Sequence, residues 1–218
     1  MSNLLHDLLV NGFPSDLTKP CFMMPDGCDV TYSELLQGAA SVAGQLVAEG
    51  VTQGDRVALQ AEKSVEGVML YLGTLRAGAA FVPLNSAYTS NEVAYFLADA
   101  GPRVFVTDPK AFVARSRTAA PLTVAAPRGA DDLASIIYTS GTTGRSKGAM
   151  LSHGNLAANA VALHKAWGFA PDDVLLHALP VFHVHGLFVA LHCAFLSGCS
   201  MVWLPKFADA DVLAGLKR

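Results

Sequence analysis

Charge is scarce in this sequence, and the scarcity excludes several classes of partner. Only 15% of the 218 residues are Asp, Glu, Lys or Arg, and the net charge is −3. No broad basic face is available for nucleic acid or an anionic lipid surface, so any bound anion must be held by a local site. Cysteine is sparse as well. Cys21, Cys28, Cys193 and Cys199 form no CxxC pair and lack zinc-ligand spacing, and no metal site is expected. The first ten residues, MSNLLHDLLV, have no basic n-region and carry Asp7 where the apolar run of a signal peptide would lie. The expected compartment is a reducing cytoplasm, and the expected partners are small molecules rather than nucleic acid or membrane.

Apolar residues, by contrast, make up 52% of the chain. Folding at this size buries roughly 70% of the surface of the unfolded chain, enough for one large core or two modest ones. Between Asp173 and Lys206 no Asp, Glu, Lys or Arg occurs, which raises the question of a membrane span. His177, His183, His185 and His192 fall inside that stretch, and Pro180 and Gly186 interrupt it. VLLHALP and SMVWLP then read as buried strands around a helix of about 186–196.

The chain before it alternates in the same way. Thr31 to Glu34 is a capping box that opens a helix ended at Gly50, followed by strand DRVALQ. Ser64 opens a second helix, AAFVPL is the next strand, and Thr89 to Glu92 caps a third helix before strand RVFVTD. The pattern is βαβαβ, and it predicts an α/β fold of parallel-sheet layers. Residues 109–130 show no clear periodicity and read as a surface connection between a first α/β subdomain (1–130) and the start of a second (131–218). A final helix after Asp209 has no strand behind it. That leaves a parallel-sheet edge uncovered and open to self-association.

The most informative segment is Tyr138-Thr139-Ser140-Gly141-Thr142-Thr143-Gly144-Arg145-Ser146-Lys147-Gly148, directly after a buried strand. Glycines let backbone N–H groups converge on an anion, hydroxyls add donors, and lysine brings a mobile positive charge; together they describe a phosphate cradle. It is not a Walker A loop, because Ser146 precedes Lys147 and Gly148 follows it, so the usual magnesium-binding hydroxyl is missing.

YTSGTTGRSKG resembles the phosphate-binding signature of the acyl-adenylate-forming enzymes, the superfamily of acyl-CoA synthetases, luciferases and peptide-synthetase adenylation domains. VTYSEL (30–35), LRAGAAFVPLN (75–85) and LPVFHVHG (179–186) resemble further core motifs of that family in the same order, so the likeness covers nearly the whole chain. Ser146 stands where the family usually has Pro. With EKSVE (62–66), PLNSAYTSNE (83–92) and SKGAMLSHGNL (146–156), it makes the chain most similar to the malonyl-CoA synthetases.

The resemblance implies the N-terminal part of the large domain of an acyl-CoA synthetase. It also implies a two-step reaction: a carboxylate attacks the α-phosphate of ATP, and coenzyme A then takes the acyl group. Thr139, Ser140, Gly141, Thr142, Thr143, Gly144 and Lys147 would hold the β- and γ-phosphates, with Mg2+ bridging them. His183 stands near the family's acyl pocket. It is a candidate for orienting the substrate carboxylate, with a core histidine bonded to a backbone carbonyl as the alternative. His177 and His192 read as structural, and Phe182 and Trp203 as core.

The family's adenine and ribose motifs and its adenylating lysine are not found in the 218 residues, so the chain alone is expected to be inactive. Malonate is the expected acid. A medium-chain or aryl acid ligase and a non-catalytic nucleotide-binding module are the other readings.

Overall fold

The computed structural model describes residues 2–139 and 146–216. Local capping chemistry explains most of its helix starts. Helix α1 (Leu4–Asn11) begins where the Asn3 side chain accepts from the His6 N–H. After strands β1 (Pro20–Met23) and β2 (Val30–Thr31), the reciprocal Thr31–Glu34 capping box opens α2 (Tyr32–Ala48). Strand β3 (Arg56–Gln60) leads to α3 (Val65–Arg76), capped by Ser64, and then to β4 (Ala80–Leu84). The Thr89–Glu92 box opens α4 (Ser90–Ala100), which ends at left-handed Gly101 ahead of β5 (Val104–Val106).

The region expected to be an irregular connection contains a helix, α5 (Pro109–Ser116). Asp108 caps it and Pro109 sits in its first turn, so the start signal was present although the apolar periodicity was too short to register. Strands β6 (Leu133–Thr139) and β7 (Lys147–Ser152) follow, then α6 (His153–Trp167) and β8 (Val174–His177). A π-helical turn (His185–Ala190) runs into α7 (Leu191–Ser197), and β9 (Ser200–Trp203) and α8 (Asp209–Gly215) complete the described residues.

The strands form two sheets. One has the order β5-β3-β4-β6-β7, with β5, β3, β4 and β6 parallel and β7 antiparallel to β6. The other has the order β2-β1-β9-β8, with β1, β9 and β8 parallel and β2 antiparallel. Two features of this order lie beyond what the sequence predicts. The strand after the glycine-rich loop does not continue the parallel alternation but folds back as a hairpin. The last strand is also no edge: β9 lies between β1 and β8, so the edges of its sheet are β2 and β8. Sheet hydrogen bonding crosses the 130/131 boundary in both directions, since β6 and β7 extend the sheet of β3–β5 while β8 and β9 join β1.

Helices α2 and α3 tie the sheets together. Tyr71 on α3 packs against Phe81 of β4 on one side and Phe188 of the π-helical turn on the other, and its hydroxyl meets His192 Nε2 at 2.8 Å. Tyr32 on α2 donates to the Cys199 carbonyl at 2.6 Å. One main core cluster therefore contains Phe22, Met201 and Trp203 from the four-stranded sheet together with Val57 and Phe81 from the five-stranded sheet. No described helix is long and apolar enough to cross a membrane. The uncharged 174–205 stretch is instead spent on β8, the π-helical turn, α7 and β9.

Candidate active site

The β6–β7 hairpin carries the two described ends of the glycine-rich motif. Thr139, the last residue of β6, and Lys147, the first of β7, are direct cross-strand partners, and both are exposed. Ser140, Gly141, Thr142, Thr143 and Gly144 lie outside the described residues. Because β6 runs parallel to β4, the loop leaves the sheet at the carboxyl ends of the parallel strands, where open α/β sheets characteristically bind ligands.

The stems of the hairpin are firmly held. Tyr138 donates to Asp99 Oδ2 at 2.7 Å, and its ring lies 4.3 Å from that of Phe96 on α4. Burial and the neighbouring Asp99 carboxylate raise the Tyr138 phenol above its usual range, so it remains a donor. Tyr95, also on α4, donates to the Ser146 carbonyl at 3.0 Å. Gly148 faces the other strand so closely that a Cβ there would lie 2.8 Å from Ile136 Cγ2. The motif's glycine after Lys147 thus sits in a tight contact within the hairpin.

His183 stands on a different connection, between β8 and the π-helical turn. It is exposed, so the alternative of a core histidine does not hold, and its ring stacks 5.5 Å from that of exposed His185. Four residues before the Gly186 that begins this turn's buried face, Phe182 is only partly buried, whereas Trp203 is a core residue at 1% exposure. His192 is fully buried and its pKa is pushed down to about 3 by that burial, in keeping with a structural role.

His177 is buried too, and it has a partner that the sequence did not suggest. Its Nδ1 lies 2.8 Å from Lys63 Nζ, and its Nε2 lies 2.9 Å from the Gly186 carbonyl. Burial and then the Lys63 charge lower its pKa to about 4. Lys63 sits in EKSVE, and Asp99 and Tyr138 are 39 positions apart; no local pattern reveals contacts made only when distant elements meet.

Among the described residues, no three His, Cys, Asp or Glu side chains converge as a metal-binding group. A hydroxyl and an ammonium at the hairpin mouth suit phosphate oxygens rather than a cation.

The sequence profile of the family described as AMP-binding enzyme matches residues 11–218. The chain belongs to that family. Among its relatives, the feruloyl-CoA synthase of an Amycolatopsis species is 35% identical over 88% of this chain. The mitochondrial malonate–CoA ligase ACSF3 of Mus musculus is 32% identical over 84%. Among solved structures, apo MatB from Rhodopseudomonas palustris superposes with a TM-score of 0.92 at 44% identity over the whole chain. The α/β layers are therefore those of an AMP-binding enzyme. The chain spans 42% of the feruloyl-CoA synthase, 36% of the malonate–CoA ligase and 48% of MatB, less than half of each.

Proposed function

We propose that this chain supplies the phosphate-binding part of an ATP-dependent acid–CoA ligase, with malonate as the acid. The observation that carries the reading is the pairing of Thr139 with Lys147, the two described ends of a motif rich in glycine and hydroxyls, at the carboxyl ends of the parallel strands. In this reading the Thr139 hydroxyl, the loop amides and the Lys147 ammonium bind the β- and γ-phosphates and stabilise charge on the departing pyrophosphate. The carboxylate attacks the α-phosphate, and the resulting adenylate gives the acyl group to the thiol of coenzyme A. Magnesium, when bound with the nucleotide, neutralises phosphate charge. His183, exposed beside His185, orients the carboxylate.

Malonate is favoured by EKSVE, PLNSAYTSNE and Ser146, and a malonate–CoA ligase is among the relatives. A feruloyl-CoA synthase at 35% identity supports an aryl acid as the second reading.

The test joins residues 1–218 to the remaining half of MatB and follows ATP-dependent acyl-CoA formation with malonate and with ferulate. Malonyl-CoA formation that Lys147→Ala lowers at least about 100-fold, the scale of losing one charge-stabilising donor, is the expected result. Activity unchanged by Lys147→Ala would overturn the phosphate assignment, and a preference for ferulate would overturn malonate.

A further inference from the structure

Lys63 carries a charge into the interior, yet the proposed chemistry makes no use of it. It follows β3 and is half-buried. Its Nζ lies 2.8 Å from His177 Nδ1, 2.6 Å from the His177 carbonyl and 2.7 Å from the Leu204 carbonyl. The same nitrogen stands 3.9 Å from the centroid of the Trp203 ring, a cation–π contact. An ammonium has three hydrogens and no lone pair, and here it meets three acceptors. Lys63, on the connection from β3 to α3, therefore closes over the carboxyl ends of β8 and β9 in the four-stranded sheet.

The direction of these bonds fixes the proton on His177. Since Lys63 can only donate, Nδ1 must accept, and the ring hydrogen of the neutral imidazole must sit on Nε2. That Nε2–H points at the Gly186 carbonyl 2.9 Å away. Gly186 is packed so tightly against the Pro180 carbonyl that even a Cβ would collide with it. The 180–186 loop consequently closes on itself at the residue that His177 holds, and His183 and His185 are carried by that loop.

We propose that Lys63 is a positioning residue: by donating to His177 Nδ1 it locks the Nε2–H tautomer, and that N–H pins Gly186 and with it the segment bearing His183 and His185. The use of this segment, presenting His183 to a substrate carboxylate, rests on the proposed function; the latch itself does not.

The experiment reads ring protons rather than catalysis, so the latch can fail while the ligase reading stands, and the reverse. The 218-residue chain, labelled with 15N-histidine, is examined by long-range proton–nitrogen correlation near pH 6, where Lys63, lowered by burial to about 7, is still charged and His177 is neutral. The unmutated chain should show His177 with bare Nδ1 and protonated Nε2. Lys63→Met removes the donor to Nδ1 and should shift the His177 Nδ1 resonance and the amide signals of His183 and His185, leaving the His6 signals in place. A His177 protonated at Nδ1, or already mixed, in the unmutated chain overturns the proposal, and this measurement decides alone if Lys63→Met does not fold. A folded Lys63→Met chain with unshifted His177 Nδ1, His183 and His185 signals overturns it as well.

Discussion

The five-stranded sheet carries the hairpin of Thr139 and Lys147 and the four-stranded sheet the segment with His183, and each segment is held by different chemistry. On the five-stranded side the hairpin stems are fixed by a tyrosine–aspartate hydrogen bond, aromatic packing and a glycine contact. Between Asp7 and Ser152 the sequence has no histidine at all. From His153 onward, by contrast, it has six of its seven histidines, and on the four-stranded side the 179–186 segment is held through one of them, buried His177. One segment is thus held by packing and a phenol kept protonated, and the other by a buried histidine that must stay neutral. Of the two segments, the one pinned by His177 is the acid-sensitive one.

Acid should give the largest effect. Burial lowers His177 to about 4 and His192 to about 3, whereas an unfolded histidine titrates near 6.5. Below about 6.5 the unfolded chain therefore binds more protons than the folded one, and stability falls as pH drops. It is fully present above the unfolded value and lost progressively down to about 4 and below. Each such histidine contributes up to about 1.4 kcal/mol per pH unit within the window. Hydrogen exchange at falling pH should release amides of β8, the π-helical turn and α7 before those of β3 and β4. Simultaneous release of both groups would break the comparison.

A substitution that adds one methyl group to each segment probes it next. At Gly186 the new Cβ would meet the Pro180 carbonyl oxygen, a backbone atom that cannot turn aside. At Gly148 it would meet Ile136 Cγ2 at 2.8 Å, a side-chain methyl that can. Gly186→Ala should cost about 3 kcal/mol and Gly148→Ala about 1 kcal/mol in urea unfolding, at the two ends of the usual range for overpacking. Equal costs would mean that the 180–186 loop shifts freely, and the tight closure assigned to it would be lost.

The sequence made the α/β class and the phosphate loop legible because both are written locally. Capping boxes at Thr31 and Thr89, periodic helix faces and a hydroxyl-rich turn lie within a few residues of one another. It did not reveal that β7 folds back on β6, because a strand's direction is decided by its partner and not by its own residues. Nor did it place β9 inside its sheet: the neighbour on one side, β1, lies about 180 positions earlier in the chain. His183 was found by resemblance to a motif, and only exposure separated its two readings. Lys63 was quoted as part of EKSVE without a role, since its three acceptors lie 114 and 141 positions away.

The smallest effect is expected from the hairpin's own anchor. Tyr138→Phe keeps the ring on Phe96 and removes only the hydroxyl that donates to Asp99. Asp99 is exposed, so water can replace the lost donor, and the cost should be about 1 kcal/mol, that of one ordinary hydrogen bond. Because the phenol is held in its protonated form, that cost should be the same near pH 7 and near pH 5.5, measured by urea unfolding. The same pH change is enough to begin charging histidines in the unfolded chain and so to erode the four-stranded side. A Tyr138→Phe cost that itself changed between the two pH values would place a titrating group in the hairpin anchor, and the division between the two sheets would no longer hold.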